Sequence, residues 1–151
     1  MTVERETLAA VGELVIQTTW LEYVTARLVA IAGRTDNEMA LLKPRGNVFQ
    51  KARETAALID DATIREQISA WLTQAERLQG ERHTIVHSIL LYDNRPGFNV
   101  YHPGSGEIRR WSDDEIRDLA RQVHVHADEA NYMILFDWRP ALESLADSTS
   151  A

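Results

Sequence analysis

Between residues 64 and 89 the apolar side chains Ile64, Ile68, Trp71, Ala75, Leu78, Ile85 and Ile89 recur at alternating steps of four and three. That spacing is the buried seam of a helix packed against neighbours. Arg82 takes the seam position between Leu78 and Ile85. A guanidinium there loses hydration, so it must be paired, reach solvent, or face a cleft or subunit interface where it meets an anion. The same periodicity predicts a long first helix from about Val3 to Ala32, striped by Leu14, Leu21, Val24, Leu28 and Ile31 and stopped at Gly33. After the loop Lys43-Pro44-Arg45-Gly46, Asn47 is expected to cap a shorter helix carrying Phe49, Ala52, Ala56 and Ile59 on one face. Thr63 and Glu66 form an expected capping box for the helix that carries Arg82.

From Ser88 to Trp111 the period shortens towards two, between the turn signals Asn94-Arg95-Pro96-Gly97 and Pro103-Gly104-Ser105-Gly106. A small antiparallel hairpin or meander follows, with Phe98, Val100 and Tyr101 on one strand and Ile108 to Trp111 on the next. Ser112-Asp113-Asp114-Glu115 opens a last helix seamed by Ile116, Ala120, Val123, Ala127, Ala130 and Ile134, which Pro140 is expected to close. The predicted fold is mainly α: an up-and-down helical bundle of about four helices with a β insertion at about residues 89–111. The expected organisation is a single domain over residues 1–142 and a frayed tail over 143–151.

With 151 residues, 44% hydrophobic and 26% charged, the chain reads as one soluble domain with a real core. No apolar run approaches a membrane span and no secretory signal is seen near Met1, so a cytoplasmic location and no membrane partner are expected. Cysteine is absent, which removes disulfides, thiolate metal sites and a Cys nucleophile. The net charge of −7 argues against coating nucleic acid by bulk electrostatics but allows a local site. Positive residues cluster at Lys43, Arg45, Lys51 and Arg53, and again at Arg109 and Arg110. Each cluster reads either as a solvated face or as a phosphate track, and Lys43, Arg45 and Lys51 are the candidate substrate-binding cations.

Arg82, the polar residue His83, and His87 after four intervening residues form a pattern that resembles the signature of HEPN domains. The layout is similar too: a long first helix with Trp20 and Glu22, a motif helix running into Ile85-Val86-His87-Ser88, a short β excursion and a capped last helix. The resemblance implies a homodimer with a composite cleft and, in active members, metal-independent endoribonuclease activity with no cofactor. It implies that His87 exchanges a proton with the ribose 2′-OH or the leaving 5′-oxygen, that Arg82 holds the scissile phosphate, and that His83 orients His87 or moves the second proton. The product would be a 2′,3′-cyclic phosphate. A transfer RNA or other structured RNA is the expected substrate for so acidic a chain, and the resemblance admits an antitoxin partner and a toxin or phage-defence role. Toxin members guarded by a nucleotidyltransferase carry a Tyr two residues after that His. This chain has Ile89 there, so that regulation is not implied.

Helical geometry puts His83 and His87 on one face, while Arg82 and His87 diverge by about 140°. A composite site therefore needs a bent Arg side chain, a distortion near Gly80, or a second copy. Three other readings stay open. Arg82 could pair with Glu22 or Glu13 in a nonenzymatic dimeric scaffold. His87 could be a satisfied core or interface histidine. His83 and His87 could also share a metal with Glu22 or Asp128, although the intervening Thr84 lacks the zincin Glu and Arg82 would repel a dication. Trp20, Trp71, Trp111 and Trp138 read as packing residues, and His124 and His126 as surface residues.

Overall fold

The computed structural model describes residues 3–43, 47–88, 93 and 95–149. The expected cation Arg45, the seam residue Ile89 and the turn residue Asn94 lie outside the described residues. The elements are α1 (Arg5–Ile31), α2 (Glu38–Leu41), α3 (Val48–Ala57), α4 (Ala62–His87), β1 (Phe98–His102), β2 (Glu107–Trp111), α5 (Asp113–Leu135) and α6 (Arg139–Thr149). The protein is mainly helical, with a two-stranded antiparallel sheet ahead of the last two helices. Two compact units are distinguished: Met1–Thr19 with Arg77–Val125, and Trp20–Glu76 with His126–Ala151.

The second unit has a core built from the expected stripes. Leu21, Val24 and Leu28 of α1, Ile68, Leu72 and Ala75 of α4, and Ala127, Ala130 and Ile134 of α5 are fully buried. Each large aliphatic side chain contributes about 1.5–3 kcal/mol by leaving water. Directional bonds fix the register: Trp20 Nε1 donates to Asp128 Oδ1 at 2.9 Å and Arg27 Nη1 to Asn131 Oδ1 at 2.7 Å. Arg53 ties α3 to α4 through Glu76 and Thr73. Two hydroxyls buried in this core of helices bond the preceding turn, Thr25 to the Leu21 carbonyl and Thr55 to that of Lys51, so neither is left unsatisfied.

Several helix boundaries differ from expectation. Asn47 precedes α3 but sits in the left-handed region at φ 47° and makes no side-chain cap; its amide bonds Gln50 instead. α4 is opened by Asp61, whose Oδ1 accepts from the Ile64 N–H at 3.1 Å, two residues ahead of the expected Thr63. Pro140 does not close a helix. It lies in the first turn of α6, where its missing N–H has no intrahelical acceptor to serve. The segment expected as a frayed tail from residue 143 continues α6 through Thr149. His126 is part-buried and engaged rather than a free surface residue: its ring stacks on Trp71 at 4.9 Å, its Nε2 bonds the Trp71 carbonyl at 2.9 Å, and Trp71 Nε1 donates to the His126 carbonyl.

Candidate functional site

The first unit assembles the end of α4, the hairpin and the start of α5. Thr7 joins three segments: its Oγ1 accepts from the Gly97 N–H at 3.0 Å and donates to Asp113 Oδ1 at 2.8 Å. Gly97 is required there, since its φ is 85° and an added Cβ would meet the Trp111 carbonyl oxygen at 2.1 Å. The capping box at α5 forms as expected, with Ser112 N–H to Glu115 Oε2 at 2.8 Å and Glu115 N–H to Ser112 Oγ at 3.1 Å. That backbone bond, followed by Arg109, holds the Glu115 carboxyl below its ordinary range.

The hairpin pairs Val100 with Arg109 and Tyr101 with Ile108. Strand alternation then splits it into two faces. Val100 and Trp111 are buried on one, whereas Tyr101 and Ile108 stay exposed on the other. The Ser88 hydroxyl, just past α4, anchors this second face by donating to the Thr84 carbonyl at 2.8 Å and accepting from the Tyr101 N–H at 3.2 Å. Arg109 and Arg110 are engaged internally. Arg109 lies 4.5 Å over the Trp111 ring and bonds Glu115 at 2.7 Å. Arg110 bonds Asp93, Asn99 and the Pro96 carbonyl. Arg95, then Arg110 and Asn99, hold the Asp93 carboxyl well below the usual carboxylate range. The Arg109–Arg110 cluster, open from sequence to a solvated face or a phosphate track, is thus a set of local ion pairs.

α4 runs unbroken through Gly80 to His87, so of the three routes to a composite site the distortion near Gly80 is not the one taken. His83 and His87 are exposed on its last turns with ring centroids 4.1 Å apart and planes inclined by 46°. Arg82 sits between the fully buried Leu78 and Ile85 and is itself half-buried. Its Nε is buried without a hydrogen-bond partner, and the guanidinium makes no ion pair among the described residues. His102 Nε2 and Trp111 Nε1 are likewise buried without a hydrogen-bond partner among the described residues.

His83, His87 and Ser88 meet Tyr101, Pro103 and Ile108 around a mostly apolar cavity of about 390 Å³. The two histidines are brought together, but Arg82 does not line this cavity. The hairpin wall was missed from sequence, although the turn Pro103–Gly106 flanked by Tyr101 and Ile108 carries its signal. Lys43 and Lys51 belong to the second unit, where Lys51 lies 3.8 Å from Glu54. Among the described residues no group of three or more His, Asp or Glu is arranged to hold a metal ion. Nor does any described helix have the length and apolarity to cross a membrane.

The arrangement sets two imidazoles side by side at an apolar wall, with Arg82, which makes no ion pair among the described residues, on a different face of the same helix. No protein-family model, curated protein or solved structure matches the chain.

Proposed function

We propose that this protein is a metal-independent endoribonuclease of HEPN type. The observation that carries the reading is Arg82, a half-buried guanidinium in an apolar seam whose buried Nε has no hydrogen-bond partner and which makes no ion pair among the described residues. Such a placement costs stability unless an anion arrives, and an RNA phosphate is the anion that the neighbouring imidazoles can act on.

In the proposed reaction one imidazole, His87, removes the proton of the ribose 2′-OH as its oxygen attacks the adjacent phosphorus. Arg82 offsets the charge that builds on the equatorial phosphorane oxygens. The bond from phosphorus to the 5′-oxygen then breaks, and His83 delivers a proton to that oxygen. The products are a 2′,3′-cyclic phosphate and a free 5′-hydroxyl. Because Arg82 and His87 diverge by about 140° on an unbroken helix, the reading requires a homodimer in which Arg82 of one protomer serves the histidines of its partner.

The test is incubation of total cellular RNA with the purified protein in excess EDTA, beside His87→Ala, with analysis of 3′ ends. The expected result is cleavage ending in 2′,3′-cyclic phosphate and lost in the variant. An inert, well-folded wild type, or a His87→Ala that cuts equally well, overturns the proposal.

A further inference from the structure

We infer that the cavity between the last turn of α4 and the outer face of the hairpin is a subsite for one unstacked nucleobase. The inference rests on the ribonuclease reading for the position of the scissile phosphate beside His87.

Ile108 is 65% exposed and Tyr101 45% exposed, and the two are direct cross-strand partners. The opposite hairpin face already supplies Val100 and Trp111 to the core, so folding does not need apolar residues here. An aromatic ring and a branched aliphatic side chain held open to solvent mark a surface that meets something else. What they face is not another apolar wall but two imidazoles and the α4 terminus.

A nucleobase has that same division. Its π-face suits Tyr101 and Ile108, and its polar edge suits ring nitrogens at the rim. At about 390 Å³ the cavity lies near the lower end of small-ligand pockets, roughly 300–1,000 Å³. It has room for a base turned out of a loop, whereas a stacked duplex presents no such free face. Charge points the same way. With a net charge of −7, and with Arg109 and Arg110 committed to Glu115 and Asp93, general attraction for phosphates is weak. Stacking must then supply much of the affinity, and the preferred substrate is single-stranded at the cleavage point.

The probes are end-labelled 2′-O-methyl hexanucleotides of adenosine, uridine, cytidine and guanosine, which have no free 2′-OH and resist cleavage. Anisotropy is measured with the full chain, Tyr101→Ala, Tyr101→Phe and Ile108→Ser, each checked for folding by circular dichroism. Wild type is expected to bind at least one probe saturably, Tyr101→Ala to bind it about 5- to 100-fold more weakly, and Tyr101→Phe to recover most of the loss. No saturable binding to any probe, or equal binding by Tyr101→Ala, overturns the subsite. So does sedimentation showing that Ile108→Ser turns a dimer into a monomer, because the wall would then be covered by a second copy. Retained RNA cleavage without Tyr101-dependent binding sinks the subsite alone. Tyr101-dependent binding without cleavage by the wild type keeps the base site and sinks the ribonuclease reading.

Discussion

The imidazoles of His83 and His87 lie 4.1 Å apart, centroid to centroid, because residues four apart on an unbroken helix share a face. In the proposed ribonuclease these two rings are the proton acceptor and donor of one reaction. His83→Ala and His87→Ala are each expected to lower kcat in EDTA by about 10²- to 10⁴-fold. The double variant should fall little further, since removing either member already breaks the relay. A rate unchanged in either single variant would move proton transfer to another residue.

Arg82 separates activity from stability. Because its guanidinium has no partner among the described residues, Arg82→Leu completes the seam between Leu78 and Ile85. The substitution should stabilise the fold by about 1–2 kcal/mol, raising Tm by a few degrees while abolishing cleavage. Thermal melting beside an RNA assay checks both. A lower Tm would mean that the arginine is structural after all.

The acid limb of stability should depend on Asp93 and Glu115. Arg95 and the Ser112 N–H, respectively, are the leading causes that depress their folded carboxyl pKa values. A depressed carboxylate stabilises the native state above its unfolded value, about 4, and the benefit drains away as pH falls from there towards the folded value. Unfolding followed by circular dichroism between pH 7 and pH 2 should show wild type losing stability below about pH 4. Asp93→Asn should be less stable at pH 7 yet show a shallower acid limb. An acid limb of unchanged steepness would show that Asp93 is not among the groups responsible.

Gly97→Ala tests how the hairpin is seated. The position has φ 85°, and the new methyl would press on the Trp111 backbone oxygen, which a rotamer change cannot relieve. A loss of at least about 1–3 kcal/mol is expected, which at this chain length lowers Tm by about 2–4 °C per kcal/mol. A melt indistinguishable from wild type would show that the loop repositions freely.

Periodicity made the long helices legible before any coordinates, because burial every third or fourth residue is a property of the chain itself. The seam Ile116, Ala120, Val123, Ala127, Ala130 and Ile134 is buried throughout, and the Ser112–Glu115 box caps α5 as expected. The hairpin was legible too, since Tyr101 and Ile108 flank a glycine-rich turn. Boundaries were less so. Asp61 and Thr63 are both competent N-caps in isolation, and Pro140 is as compatible with a helix start as with a stop.

Local sequence therefore determined which segments are helical, which faces are apolar, and that an arginine interrupts a seam with two histidines beside it. Tertiary structure decided what those side chains meet. Whether Arg82 finds a carboxylate depends on residues distant in the chain. That Ser88 holds Tyr101, and that Tyr101 and Ile108 wall the histidine cavity, follows from hairpin docking. Spacing along one helix fixes angles between its own side chains. Partners brought from other elements are set by packing, which no local period encodes.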